Sequence, residues 1–91
     1  MHGLTERQKI CLDFIVDRVK RDLNSPSFKD IGEHMGIGST NAVKDHLVAL
    51  QKKGYIRHEF YKKRRIYLTD ITRRLYGLYF VGVDNIGTAN G

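Results

Sequence analysis

The sequence predicts an α+β domain that is mainly α: a winged helix-turn-helix, three helices followed by a two-stranded β-hairpin. Three observations predict it. Residues 27–50 hold two short amphipathic helix patterns separated by Gly36-Ile37-Gly38, the spacing of a helix-turn-helix. A longer helical periodicity precedes them, beginning at Thr5. Two runs of alternating apolar and polar residues follow them, and the tip between those runs is rich in Lys and Arg.

The first helix opens at Thr5, whose hydroxyl can accept from free backbone amides, with Gln8 three residues on to complete a capping box. Ile10, Phe14, Ile15 and Val19 recur at helical spacing, and Leu12, Val16 and Leu23 broaden the apolar stripe. The helix is expected to end between Asp22 and Ser25, because Pro26 cannot occupy a helix interior. Ser27 is the expected cap of the second helix, with Asp30 imitating the box and Phe28, Ile31 and Met35 forming the buried face. Gly36 and Gly38 bracket Ile37, so the chain can turn with positive backbone angles while Ile37 tucks between the helices.

Ser39 is the expected cap of the third helix, on which Val43, Leu47 and Leu50 face inward at i, i+4 and i+7. Thr40, Asn41, Lys44, Asp45 and Val48 are then left facing elsewhere. Lys52 and Lys53 suit the negative end of the helix dipole, and Gly54 suits a left-handed terminator. The strands are read as Tyr55 to Glu59 and Arg65 to Thr69, with Phe60 to Arg64 as the connecting tip. Residues 1–70 are thus expected to form the domain. Residues 71–91 are expected to be a C-terminal tail or the start of a linker; their apolar part fits either a short helix then a strand, or a sticky linker.

Charge narrows the function. The 91 residues carry a formal net charge of +6 and a sequence pI of about 9.7, which favours a polyanionic partner. The excess is local: nine of the 16 Lys and Arg, against two acids, lie between Gln51 and Tyr76. One cysteine, Cys11, rules out an internal disulfide; it is read as core packing, and a reducing cytoplasm is the expected compartment. No apolar run approaches the roughly 18 to 20 residues that span a bilayer, so no membrane association is expected. His2, His34, His46 and His58 show no metal-ligand spacing, no cofactor is implied, and no nucleophile, base and acid can be arranged into an enzyme site. His46 is read as an interhelical hydrogen-bonding residue.

The leftover face of the third helix is suited to base edges. Asn41 can present its amide to adenine N6 and N7, Ser39 can bond a base or a phosphate, and Ala42 can touch a thymine methyl. Thr40 shares their turn. Lys44 suits a guanine edge or a phosphate, and Asp45 suits cytosine N4 or a neighbouring lysine. The tip cations Lys62, Lys63, Arg64 and Arg65 suit phosphates or a minor groove, and Arg7 and Lys53 are placed as backbone clamps. The rival reading is a protein-interaction module that modulates a repressor or a polymerase without reading DNA.

Leu4-Thr5-Glu6-Arg7-Gln8, Asp13-Phe14-Ile15, Pro26-Ser27, Asp30-Ile31-Gly32, Asn41-Ala42-Val43, His46-Leu47, Ala49-Leu50 and Lys53-Gly54-Tyr55-Ile56 resemble the DNA-binding domain of LexA-type repressors of the SOS response. The resemblance covers residues 4–68 in register. It implies a cytoplasmic repressor that occupies a palindromic operator on double-stranded DNA, as a weak homodimer or as two copies that pair on DNA; the aromatic tail is an alternative dimer surface. Thr40, Lys44 and Asp45 depart from the residues many family members carry there, so the operator sequence does not transfer. The family's serine-lysine protease domain has no counterpart here, and Ile86-Gly87 stands where its Ala-Gly cleavage bond would be. Either a longer repressor's N-terminal portion or a short relative without self-cleavage fits.

Overall fold

The computed structural model describes residues 3–22, 25–59 and 65–78. The expectations for His2, Leu23, Asn24, the tip residues 60–64 with Lys62, Lys63 and Arg64, and the stretch from 79 onward lie outside the described residues. Among the described residues, four helices and one hairpin follow in order: α1 Glu6–Asp22, α2 Phe28–Met35, α3 Thr40–Lys52, β1 Ile56–His58, β2 Ile66–Leu68 and α4 Asp70–Leu75. This is the three-helix and two-stranded winged helix-turn-helix, with a short helix added after the hairpin.

Both capping boxes form. At α1, Gln8 N donates to Thr5 Oγ1 and Thr5 N donates to Gln8 Oε1, each at 3.1 Å. At α2, Asp30 N donates to Ser27 Oγ at 3.0 Å and Ser27 N to Asp30 Oδ2 at 3.1 Å. Each box satisfies amides that the helix itself leaves without partners, so both helices start at a chemically fixed residue.

The buried side of α1 is Cys11, Leu12, Ile15 and Val16, with Phe14 and Val19 packed at its margin. Ile10 does not join it. It is 36% exposed, because the core is centred on the 11/12/15/16 edge of the apolar stripe and position 10 falls at its rim. Phe14 lies instead at the outer seam with α2, its ring stacked on His34 at 4.3 Å between centroids and Arg18 over it at 5.7 Å. Arg18 continues to Asp30 Oδ2 at 3.5 Å, joining the seam to the α2 cap.

The turn between α2 and α3 uses one of its two glycines as a conformational device. Gly36 takes φ 71°, the left-handed terminator, and the Ile37 amide closes the turn on Gly32 O at 2.8 Å. Gly38 has no positive φ, so the bracketing pair acts through Gly36. Gly32 is required for a different reason. A Cβ there would stand 2.8 Å from Ile37 O and 3.4 Å from Val43 Cγ2, so α2 and α3 approach as closely as they do only without a side chain. Across that contact α3 buries Val43, Leu47 and Leu50.

At the end of α3, Gly54 adopts φ 85° and Tyr55 N reaches back to Leu50 O at 3.0 Å. The hairpin is antiparallel, pairing Ile56 with Leu68, Arg57 with Tyr67 and His58 with Ile66. Alternation puts Ile56, His58, Ile66 and Leu68 on the core face. Beyond it the chain turns back onto the domain. The Thr69 hydroxyl donates to Gly54 O at 2.7 Å, the buried Thr72 hydroxyl donates to Tyr55 O at 2.6 Å, and Tyr76 OH donates to Asp13 of α1. After Thr69 a short helix forms over Asp70–Leu75, and Leu78 packs against the core beyond it; the strand of the helix-then-strand alternative falls, from residue 79 on, outside the described residues.

Candidate nucleic-acid interface

The α3 start combines exposed polar side chains with a bare helix terminus. Ser39 occupies the cap position with extended backbone (φ −115°, ψ 127°), but its side chain makes no capping hydrogen bond, unlike Thr5 and Ser27. The first turn of α3 contains no acidic residue either. Among the described residues, the partial positive charge of the helix terminus thus meets neither a side-chain cap nor an acid of the first turn, a condition that favours an anion nearby.

Ser39, Thr40, Asn41, Lys44 and Asp45 are exposed, and Ala42 is half-buried beside Val43. Thr40 and Lys44 form one i, i+4 row, and Asn41 and Asp45 the adjacent row. Among the described residues, no hydrogen bond engages the side chains of Thr40, Asn41 or Asp45. All six candidate base-contacting residues thus lie within the first two turns of one helix, held from behind by Val43 and by the Gly32 contact with α2.

The two expected backbone clamps also make hydrogen bonds within the domain. Arg7 Nη2 donates to Met35 O at 3.2 Å, binding the start of α1 to the last turn of α2 immediately before Gly36. Lys53 Nζ donates to Gln8 Oε1 at 2.6 Å and to Gly3 O, binding the N-terminal segment to the end of α3. Both cations are exposed and both hold elements of the helix-turn-helix together. Of the wing cations, Arg65 is exposed at the start of β2, where its carbonyl accepts from Glu59 N at 3.4 Å; Lys62, Lys63 and Arg64 are outside the described residues.

One positioning residue was not singled out from the sequence. Gln51 Oε1 accepts from the backbone amide of His58 at 2.6 Å, linking the last turn of α3 to the wing strand β1. A signal exists: Gln51 is four residues after Leu47 and adjacent to Leu50, on the edge of α3 that turns toward the hairpin. His58 itself is buried with its ring 5.3 Å from that of Phe28, so the root of the wing is packed against α2. His46 is half-buried, and among the described residues it makes no interhelical hydrogen bond, contrary to its expected role: Leu47 and Val43 occupy the seam and leave position 46 at its margin.

Cys11 lies in the core, where burial pushes its thiol up to about 11, so it packs as a thiol. Burial alone would raise the Asp13 carboxyl, but hydrogen bonds from Lys9 and Tyr76 outweigh it and hold the group below the usual carboxylate range. Hydrogen bonds from the Ser27 backbone and side chain do the same for Asp30. Among the described residues no three His, Cys, Asp or Glu side chains are grouped to hold a metal ion, and no helix is long and apolar enough to cross a membrane.

A three-helix unit with a hairpin packed on its last helix, and an exposed polar face at that helix's start, defines the class of winged helix-turn-helix domains. Within that class the family is specific: residues 1–65 match the LexA DNA binding domain family, and the chain belongs to it. It is 45% identical over 78 residues to the LexA repressor of Myxococcus xanthus, covering 86% of this chain and 35% of that one. It is 45% identical over 71 residues to the LexA repressor of Sorangium cellulosum, covering 78% of this chain and 31% of that one, and 41% identical over 71 residues to that of Halalkalibacterium halodurans, covering 78% and 34%. The chain spans about a third of the length of the curated relatives it matches. The matched region is a non-catalytic domain.

Proposed function

We propose that this chain is a sequence-specific double-stranded DNA-binding domain that acts as a transcriptional repressor of SOS-type operators in the cytoplasm. The single observation that carries the reading is the start of α3: an uncapped positive helix terminus surrounded by exposed Ser39, Thr40, Asn41, Lys44 and Asp45. The first two turns of α3 enter the major groove. Asn41 pairs with adenine N6 and N7, Ala42 meets a thymine methyl, and Ser39 and Thr40 bond a base or the flanking phosphate. Lys44 takes a guanine edge or a phosphate, and Asp45 accepts from cytosine N4.

The wing cations Lys62, Lys63, Arg64 and Arg65 neutralise phosphates or enter the adjacent minor groove, while Gln51 and the buried His58 set where the wing leaves α3. Arg7 and Lys53 keep their internal hydrogen bonds and lend charge to the nearby backbone. Residues 1–70 carry the recognition, on a palindromic operator whose half-sites are one helical turn or a multiple apart, on the order of 34 Å per turn. The chain needs no metal or cofactor and performs no catalysis.

Selection from random duplexes, followed by gel shifts of the winner at two salt concentrations, tests this directly. A recovered inverted repeat, bound with a steep salt dependence, is the expected result. Recovery of no consensus, or binding indifferent to salt, contradicts it.

A further inference from the structure

The α4 helix with its C-cap Tyr76 presents three rows of residues four apart. Thr72 and Tyr76, at i and i+4, face the domain, where Thr72 is fully buried on Tyr55 O and Tyr76 OH donates to Asp13. The adjacent row, Ile71 and Leu75, faces out at 53% and 54% exposure, the two most exposed large apolar side chains among the described residues. Beside that row runs a third, Asp70 and Arg74, both exposed and again four apart. The domain-facing contacts hold α4 in one orientation, so the outward apolar pair and its charged flank form a fixed surface.

That surface is complementary to itself. If two copies of α4 meet antiparallel across a two-fold axis, Ile71 and Leu75 of each cover those of the other. The flanking rows then lie on the same side of the axis and run in opposite directions, placing Asp70 of one copy opposite Arg74 of the other, twice. The same arrangement sets the positive end of each helix dipole against the negative end of its neighbour. Isologous contacts of this kind close after two copies.

We propose that α4 is a self-association surface, through which two copies of this chain pair by Ile71, Leu75, Asp70 and Arg74. The patch is small beside the roughly 1,200 to 2,000 Å² of a stable interface, so the pairing is weak in solution. It gains force where two copies are held close, as on a palindromic site, by effective concentration. Only that last use rests on the DNA-binding reading; self-association is measured without DNA, so either can fail alone.

The test is sedimentation velocity on the 91-residue chain without DNA, from micromolar to millimolar concentration. The wild type is expected to shift reversibly from monomer towards dimer. Leu75→Asp is expected to stay monomeric throughout with an unchanged circular dichroism spectrum, since Leu75 is 54% exposed and its loss opens no core. Asp70→Arg and Arg74→Asp, which each create like-charge pairs, are expected to weaken association by roughly tenfold, and the double charge swap to return it to within about threefold of wild type. A wild type that is monomeric at every concentration overturns the proposal; that is also the outcome if residues 79–91 of the same chain cover the patch. A dimer that survives Leu75→Asp, or a double swap no better than the single changes, overturns it as well.

Discussion

The outward start of α3 and the junction formed by Arg7 and Lys53 are both polar, exposed and close to the helix-turn-helix, yet they are built oppositely. At the junction, each cation is spent on the fold: Arg7 on Met35 O, Lys53 on Gln8 and Gly3. At the start of α3, the helix has no side-chain cap, and the side chains of Thr40, Asn41 and Asp45 make no hydrogen bond among the described residues. The starts of α1 and α2 do not look like this, for both close capping boxes worth about 1 kcal/mol each; α4 also begins without a side-chain cap at Thr69, but it carries Asp70 in its first turn, where α3 has no acid. A serine at a helix start that forgoes its cap gives up that stabilisation, and the proposed reading assigns recognition to this end and support to the junction.

Changes to the support should damage both regions together. The largest effect is expected for Gly32→Val, whose Cβ would collide with Ile37 O at 2.8 Å. Overpacking of this kind costs about 1 to 3 kcal/mol, and here backbone must move, so a value near the top of that range is expected. Urea unfolding reads it, and DNA binding should fall with it. Replacing Lys62, Lys63, Arg64 and Arg65 by Ala sharpens the comparison instead. Affinity should fall alike for every DNA sequence, and the slope of log K against log salt should flatten by about 0.9 per phosphate contact removed. An unchanged slope would make the tip a solvated turn.

A smaller effect is expected from acid. The folded-state values of Asp13 and Asp30 are lowered, so the stability they contribute is fully present above the unfolded carboxylate value near 4 and is lost as pH falls through the lowered folded values. Asp30→Asn should therefore reduce the drop in thermal midpoint between pH 5 and pH 3, roughly, while leaving binding at neutral pH intact. A drop as large as that of the wild type would place the acid sensitivity elsewhere.

The local features were legible in the sequence because they are decided within one helical turn. Thr5 with Gln8, Ser27 with Asp30, the left-handed Gly36 and Gly54, and the inward row of Val43, Leu47 and Leu50 all depend on neighbours three to five residues away. The contacts that the sequence did not announce join partners distant along the chain. Arg7 and Met35 are 28 residues apart, Lys53 and Gln8 45, and Tyr76 and Asp13 63, and no periodicity announces such pairs. Ile10 failed for a related reason: a stripe more than half a face wide does not say which edge the other helices will cover. Of the interface, residue types and their common face could be read from spacing; the missing cap at Ser39 could not, since Ser there ordinarily closes one.

The most direct test sets one residue from each region side by side, measuring urea stability and the ratio of affinities for the selected operator and random duplex in Asn41→Ala and Lys53→Ala. For Asn41→Ala, stability should stay within about 0.5 kcal/mol of wild type, while the ratio drops by about 1 to 3 kcal/mol at the base Asn41 contacts. For Lys53→Ala the pattern should invert, with stability lower by about 0.5 to 1 kcal/mol for an exposed charged hydrogen bond and the ratio unchanged. An Asn41→Ala variant that loses affinity equally for operator and random DNA would contradict the claim that the outward start of α3 reads bases.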